Sequence, residues 1–566
     1  MPAIVLVLIG LGLFYLAYRF YSKFLAEKIY QLDPDFKTPA HELEDGVEYI
    51  PTHKHILMGH HFVSVAGAAP IVGPAIAMIW GWLPAFLWVV VGSIFASGAH
   101  DLGSIWVSSR HKGRSIGHLT ADLIGQRARL LFLIVIYFLV LMVNAVFALV
   151  IAALFIRYPM SVIPIFVEIP LALAIGWLIY KHKGAGVLLP SIVAVAIMYL
   201  LVILSGTYGW EVKVPTLGTP VVTWVLILLG YGLFSTLLPV WVLLQPRDYL
   251  NGHQLYFGLT AVFLAVIIGT FTSEGLILVA PAIRLNPPGA PMMIPFIFIT
   301  IACGAISGFH SIVSSGTTSK QLDKETDARP VGYLGSLGEG SLALVAILAC
   351  AGGFASVAAW NEHYATWGGA AGLGAKVSAF VDGISHFLYR GFGISQTIGA
   401  TFAAVVVVSF AGTTMDTGLR LQKYVTAEFG DIMNLPALKK GWIATLIAVV
   451  TTGILALYDG KGAGGLVIWP LFGTTNQLLA SLALLVISVF LVKLKRPIAY
   501  TLTPMVILLF MTCWAMLLTL KGFWVKENWG LFVIGVLILV SALYMVVKAV
   551  RILRGSGQTE GVPVRG

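Results

Sequence analysis

Charged side chains stand inside or beside long apolar runs at a few places in this chain. His100 and Asp101 close one run, His310 lies among serines in another, Glu339 opens a third, and Asp416 follows a fourth with Arg420 one turn further on. A charge in lipid is costly, on the order of 2.5–3.5 kcal/mol at a helix centre and less near an end, so each marks a functional candidate. The chemistry open to such groups is proton exchange and reversible ion pairing, since a carboxylate beside another acid holds its proton more tightly. Asp101, Glu339 and Asp416, with His100, Arg420 and His310 as partners, are therefore expected to form an inner gate or a proton relay. The competing reading is an interfacial anchor paired with a nearby Lys or Arg. Glu274 and Asn144 also lie within spans. His53, His55, His60 and His61 crowd into nine residues and could bind a transition metal, but interfacial histidines titrating near neutral pH suit them better, and no metal is assigned. No P-loop, HExxH or GxSxG pattern is present, so neither an enzyme nor an ATP-driven pump is indicated.

A second group acts through its backbone. Residues 60–80 read HHFVSVAGAAPIVGPAIAMIW, with Gly67, Pro70, Gly73 and Pro74 in the middle. Each proline removes a donor and presses on the preceding turn, so a helix here is predicted to break near the membrane centre. Residues 228–250 carry Gly230, Gly232 and Pro239 at a similar depth, and Gly230–Ser235 is predicted to be a second break facing the first. Unwound backbone in a membrane is tolerated only where it lines a cavity. Half-helix N-termini there attract anionic groups, and freed carbonyls coordinate cations. Gly67, Ala68, Ala69, Pro70, Gly73, Gly230, Gly232, Ser235 and Asn144 are the expected substrate-binding positions. Ser307, Ser311 and Ser314, at helical spacing near His310, are expected to meet the carbonyls of Ala66 and Ala69 around a coupling cation, a proton or sodium. The bland alternative is that these serines only allow close helix packing.

The elements that must hold these groups follow from composition. The chain has 566 residues, 58% hydrophobic and 11% charged. Soluble proteins carry roughly 25% charged residues, so lipid is the solvent that suits this one. Fifteen apolar runs are long enough to span, at about 3–20, 57–78, 83–106, 130–156, 162–180, 185–206, 220–245, 255–280, 292–317, 333–357, 394–414, 440–457, 466–493, 498–520 and 529–551. The first has no basic residue before it and no cleavage pattern after it, so it reads as a retained helix. Sorting the connectors by alternation leaves eight of the 35 Lys+Arg on one side and 27 on the other. The basic side is cytoplasmic, which places the N-terminus outside and the C-terminus inside. The net charge of +10 is thus topological, and no nucleic-acid partner is implied. Cys303, Cys350 and Cys513 fall in apolar runs and imply no disulfide framework.

The expected organisation is an N-terminal helix and cytoplasmic loop (1–56), a five-helix repeat (57–206), a second inverted five-helix repeat (207–414) with an external segment at 358–393, and accessory helices (415–566). Two groups of five in opposite orientation, each opening with a broken helix, are the pattern of one transporter architecture.

At MGHHFVSVAGAAPIVGPAIA, SGAHDLGSIWVSSRHKGRSIG, ACGAISGFHSIVSSGTTSKQL, FAGTTMDTGLRLQKY and WPLFGTTNQLLASLAL the chain resembles the carbon starvation protein A (CstA) family. The matches run from about residue 28 to 495. The resemblance implies a bacterial inner-membrane transporter linked to nutrient limitation, with a LeuT-like core and peptides or pyruvate as substrate. Longer members continue past the point where this chain ends. The expected function is ion-coupled uptake of small peptides by alternating access, with pyruvate–proton symport as the alternative. A channel would need a ring-like polar pore, and a starvation sensor would need a signalling domain, which is not visible.

Overall fold

The computed structural model describes residues 1–46, 48–181, 188–272, 275–368, 373–458 and 464–555, which leaves Glu274 outside the described residues. Among the described residues twelve helices are long and apolar enough to cross a membrane, and one bent pair makes a thirteenth, so the chain is a multi-pass helical membrane protein. They begin with α1 (Ala3–Ile29), the bent pair α2 (Lys54–Val65) and α3 (Ala69–Trp80), and α4 (Trp82–Arg110). A short α5 (Ile116–Leu123) leads into α6 (Gln126–Arg157), α7 (Val162–Lys181), α8 (Leu188–Tyr208), α9 (Pro220–Leu237) and α10 (Leu244–Thr270). A second interrupted helix follows as α11 (Met293–Thr300) and α12 (Gly308–Gly316). The chain continues through α13 (Glu325–Gly352), the amphipathic α14 (Leu373–Phe392), the long α15 (Gln396–Ile432) and the short α16 (Gly441–Ala456). It closes with α17 (Gly464–Lys493), α18 (Ala499–Val525) and α19 (Trp529–Gly555).

Every predicted run meets a helix. Thirteen qualify as spans, whereas run 292–317 is the interrupted α11/α12 and run 440–457 is the 16-residue α16. The most buried helices are α6, α13, α15 and α17, with α6 packed along α15 and α17 along α6. α1, α8, α18 and α19 lie outermost and show apolar side chains outward, as lipid-facing helices do.

The first predicted break is present. α2 ends at Val65, Ala66 leaves helical geometry at φ −82°, ψ 71°, and the halves meet at 48°. Pro70 has no N–H to give the carbonyl of Ala66, and Gly67 offers little resistance to unwinding. The second predicted break is corrected: α9 runs unbroken through Gly230, Gly232 and Ser235 to Leu237. Glycine inside a helix costs only about 1 kcal/mol relative to Ala, too little to unwind it. Gly232 instead makes room for Leu419 of α15. The helix stops where proline dictates, since Leu238, just before Pro239, is extended at φ −70°, ψ 148°.

The second break lies at residues 301–307, between α11 and α12. It holds no proline. Gly304 sits at φ +91°, a conformation only glycine takes without strain.

Candidate functional site

The second interruption lies against the first turns of α3, which follow the first interruption directly. A Cβ at Gly304 would stand 3.3 Å from the Cβ of Pro70, and a Cβ at Gly73 would collide with the Thr300 carbonyl and come within 3.2 Å of Ile301 Cα. Backbone unwound in a membrane must be satisfied locally. Here Trp88 Nε1 donates to Ile301 O at 3.1 Å and Ser93 Oγ to Gly304 O at 3.0 Å, both from α4. From α17, Gln477 Nε2 donates to Ile306 O at 3.4 Å, while Asn476 Oδ1 accepts from Phe309 N at 3.0 Å and Ser307 Oγ at 3.2 Å. The first break is closed over by Phe147 of α6 and Thr414 of α15. Thr414 Oγ1 lies 2.9 Å from where a Cβ on Gly67 would be, and it has no hydrogen-bond partner. Thr414 thus presents an unpaired hydroxyl beside the first break. Ser311 Oγ donates to Gly308 O of its own helix, and Ser307 is committed to Asn476, so neither turns to Ala66 or Ala69. Ser314 Oγ is buried without a partner. Asn144 donates to Gln422 Oε1 at 2.8 Å and packs against Gly418, tying α6 to α15.

Four of the six predicted gate or relay residues converge beside the second break. His100 Nδ1 lies 2.7 Å from Asp101 Oδ1, His310 Nδ1 lies 2.8 Å from Asp101 Oδ2, and His310 Nε2 lies 3.1 Å from Glu339 Oε2. All four side chains are buried; His310 Nε2 stands at ion-pair distance from Glu339 without hydrogen-bond geometry, and His100 Nε2 and Glu339 Oε1 also lack hydrogen-bond partners. One imidazole spans two carboxylates from α4 and α13, and it can donate to both only with a proton on each nitrogen. The group is thus a fixed cage in which one proton can move between neighbouring acids and imidazoles.

Asp416 and Arg420 belong elsewhere. Asp416 accepts from Arg247 Nη1 at 2.6 Å, Tyr231 OH at 2.7 Å and Ser235 Oγ at 2.9 Å. Arg247 Nε in turn donates to Glu168 Oε1 at 3.0 Å, whose other oxygen accepts from Ser409 Oγ at 3.1 Å. Arg420 caps the end of α9, donating to Ser235 O at 3.1 Å and Leu238 O at 2.9 Å. The expected Asp416–Arg420 pairing is replaced by Asp416–Arg247. Sequence reasoning missed Glu168 and Arg247, although Glu168 is the one charged residue in the run 162–180. Arg247 falls between the runs 220–245 and 255–280, but α10 begins at Leu244 and buries it.

The four clustered histidines part company. His53 and His55 are exposed, His60 Nδ1 pairs with Asp248 Oδ2 at 2.7 Å, and His61 Nδ1 with Thr318 Oγ1 at 2.9 Å. Among the described residues no group of three or more His, Cys, Asp or Glu is placed to hold a metal.

The two ends of the bundle differ. At one end Glu48 bridges Lys320 (2.7 Å) and Tyr424 OH (3.3 Å) over a cavity of about 120 Å³ between α6, α12 and α15. Burial works against the Lys320 ammonium, but the Glu48 carboxylate outweighs it and lifts the pKa above that of a free lysine. At the other end a cavity of about 610 Å³ reaches down to Thr300, at the edge of the second break.

The profile of the carbon starvation protein CstA family matches residues 2–365 and 356–515. The chain is 32% identical to "Peptide transporter CstA" of Campylobacter jejuni, over 90% of this chain and 79% of that one. It is 30% identical to "Pyruvate/proton symporter BtsT" of Escherichia coli, over 91% of this chain and 81% of that one. Among solved structures, a manganese transporter of Eremococcus coleocola shares 14% identity at a TM-score of 0.43, covering 91% of this chain and 99% of that one. With two of the quoted motifs lying at the two breaks and the family profile running across nearly the whole sequence, the chain belongs to the carbon starvation protein CstA family.

Proposed function

We propose that the protein is an ion-coupled secondary transporter that takes up small peptides by alternating access in a bacterial inner membrane. The observation that carries this is the pair of helix interruptions brought together around α3 and α11, since paired broken helices at that depth are where transporters hold their solute. The relatives named as peptide transporters support peptides as cargo, and the relative named as a pyruvate/proton symporter supports pyruvate as the second reading. Both substrates carry a carboxylate that a half-helix N-terminus can receive.

The five-plus-five reading is kept with different members. α2/α3, α4, α6, α9 and α10 are proposed as one repeat, and α11/α12, α13, α15, α16 and α17 as the other, with α7 and α8 inserted. The packing is reciprocal, as an inverted repeat requires: α10 packs on α2 and α15, and α17 on α12 and α6. α5 precedes α6 as α14 precedes α15. The second repeat thus starts at residue 293 rather than 207. Counting the interrupted α11/α12 and the short α16 as crossings gives fifteen spans, with the N-terminus outside by the basic-residue asymmetry. The end closed by Glu48 is then cytoplasmic and the larger cavity external.

The proposed coupling ion is a proton carried by the His100–Asp101–His310–Glu339 cage, which adjoins the second break. Sodium is the alternative, with Thr414 and the freed Ala66 carbonyl as ligands. Uptake of labelled dipeptides and pyruvate into proteoliposomes, with proton and sodium gradients imposed separately, tests this reading. Accumulation of dipeptide driven by the proton gradient is expected. Accumulation of pyruvate alone would transfer the assignment to the second reading, and accumulation of neither would reject both.

A further inference from the structure

The cavity of about 610 Å³ lies between α11, α17 and α18 and has the build of a binding site. Its walls carry Phe296, Trp367 and Trp469, and its floor is Thr300. Trp367 packs on the buried Trp80 at the end of α3, with ring centroids 5.4 Å apart, so this wall is held by the first broken helix. Among the described lining residues Lys526, at the mouth, is the one charged side chain. Thr519 also lines the cavity, is 7% exposed, and its hydroxyl has no hydrogen-bond partner. A buried hydroxyl left without a partner costs about 1–3 kcal/mol, which a ligand group can recover. α18 is bare beside it, because a Cβ on Gly522 would meet nothing within 4 Å.

Aromatic walls with a few placed polar groups are the usual form of a small-molecule site. They select by burying apolar surface, at about 25 cal/mol per Å². Pyruvate has three carbons and no apolar side chain, and it would leave most of this volume empty. A dipeptide with one bulky apolar residue presents a ring or branched chain for the walls, a carboxylate for Lys526 and amide groups for Thr519. We propose that this cavity is an outer binding site for peptides bearing a bulky apolar side chain, with Lys526 pairing the peptide carboxylate at the mouth. The assignment rests on the reading that the chain handles peptides, and it adds the side-chain class and the residues that select it.

The test is equilibrium binding of labelled Ala-Phe to the full chain in nanodiscs, run beside Ala-Phe uptake into proteoliposomes. Gly522→Phe fills the cavity from a position with free space, and Lys526→Gln removes an exposed charge, so both variants keep the fold. Gly522→Phe should weaken Ala-Phe at least about tenfold, the worth of one buried apolar side chain, and Ala-Ala far less. Lys526→Gln should weaken Ala-Phe about fivefold and leave its C-terminal amide unchanged. Wild-type affinity for Ala-Phe in both variants would overturn the site, as would occupancy by a lipid acyl chain that peptide does not displace. Uptake by the wild type together with unaltered binding in the variants would reject the site and keep peptide transport. Binding sensitive to both variants without any uptake would keep the site and reject transport.

Discussion

Gly304, in the second interruption, lies against Pro70, in the first turn of α3 just past the first interruption, so closely that a Cβ on the glycine would stand 3.3 Å from the proline ring and closer still to Ala343. The contact joins two chain segments more than 200 residues apart, each next to a place where helical hydrogen bonding is given up.

Gly304→Ala should therefore lower stability by about 1–3 kcal/mol, through positive-φ strain and the collision with Ala343, and should reduce transport. Gly230→Ala is the contrast: α9 is continuous there and a Cβ meets nothing within 4 Å, so the change should be neutral or up to about 1 kcal/mol stabilising. Thermal unfolding in detergent reads both. The reverse ranking would mean that the breaks have been misplaced.

Glu339→Gln removes one of the two carboxylates that hold His310. It should abolish accumulation against a gradient while leaving exchange of substrate across the membrane. Asp101→Asn should behave alike, because Asp101 holds the other nitrogen. Parallel assays of gradient-driven uptake and counterflow separate coupling from passage. Full accumulation in both variants would remove the cage from the mechanism.

The Glu168–Arg247–Asp416 group ties α7 and α10 to α15 and is entirely buried. Arg247→Met strands two carboxylates and should cost about 3–5 kcal/mol, whereas adding Glu168→Gln and Asp416→Asn to it should restore much of the loss. Arg420→Met strands only carbonyls and should cost less, about 1–3 kcal/mol. Folded yield and thermal unfolding across the series test this. A triple variant no better than Arg247→Met alone would show that the charges are not the reason.

Lys320→Met cuts the Glu48 strap over the smaller cavity. A cysteine placed at Ile312, which lines that cavity, should then react about tenfold faster with a charged thiol reagent applied from the cytoplasmic side. Unchanged labelling would mean that the strap does not close the path.

Proline and charge were legible in the sequence; partners were not. Pro70 announced the break at Ala66 because a missing N–H acts locally, and the apolar runs announced the helices because lipid permits little else. Gly230 and Gly232 misled because a helix absorbs glycine, and the true second break at Gly304 has no proline to mark it. Asp101, His310 and Glu339 stood out singly as charges in apolar runs, yet their meeting depends on three helices packing. Arg247 was hidden because the apolar run starts at 255, eleven residues past the start of α10 at Leu244. Thr414 carried no signal, since one threonine in a helix of α15's length resembles any other.

Reciprocal thiol accessibility tests alternating access most directly. Single cysteines at Ile312, in the cavity under Glu48, and at Leu518, in the larger cavity at the other end, would be placed in a background with Cys303, Cys350 and Cys513 replaced by alanine. Labelling rates would be followed with and without substrate and an imposed proton gradient. The account predicts opposite changes, with position 312 becoming more reactive as position 518 becomes less so. Rates that rise and fall together, or that ignore substrate, would contradict it.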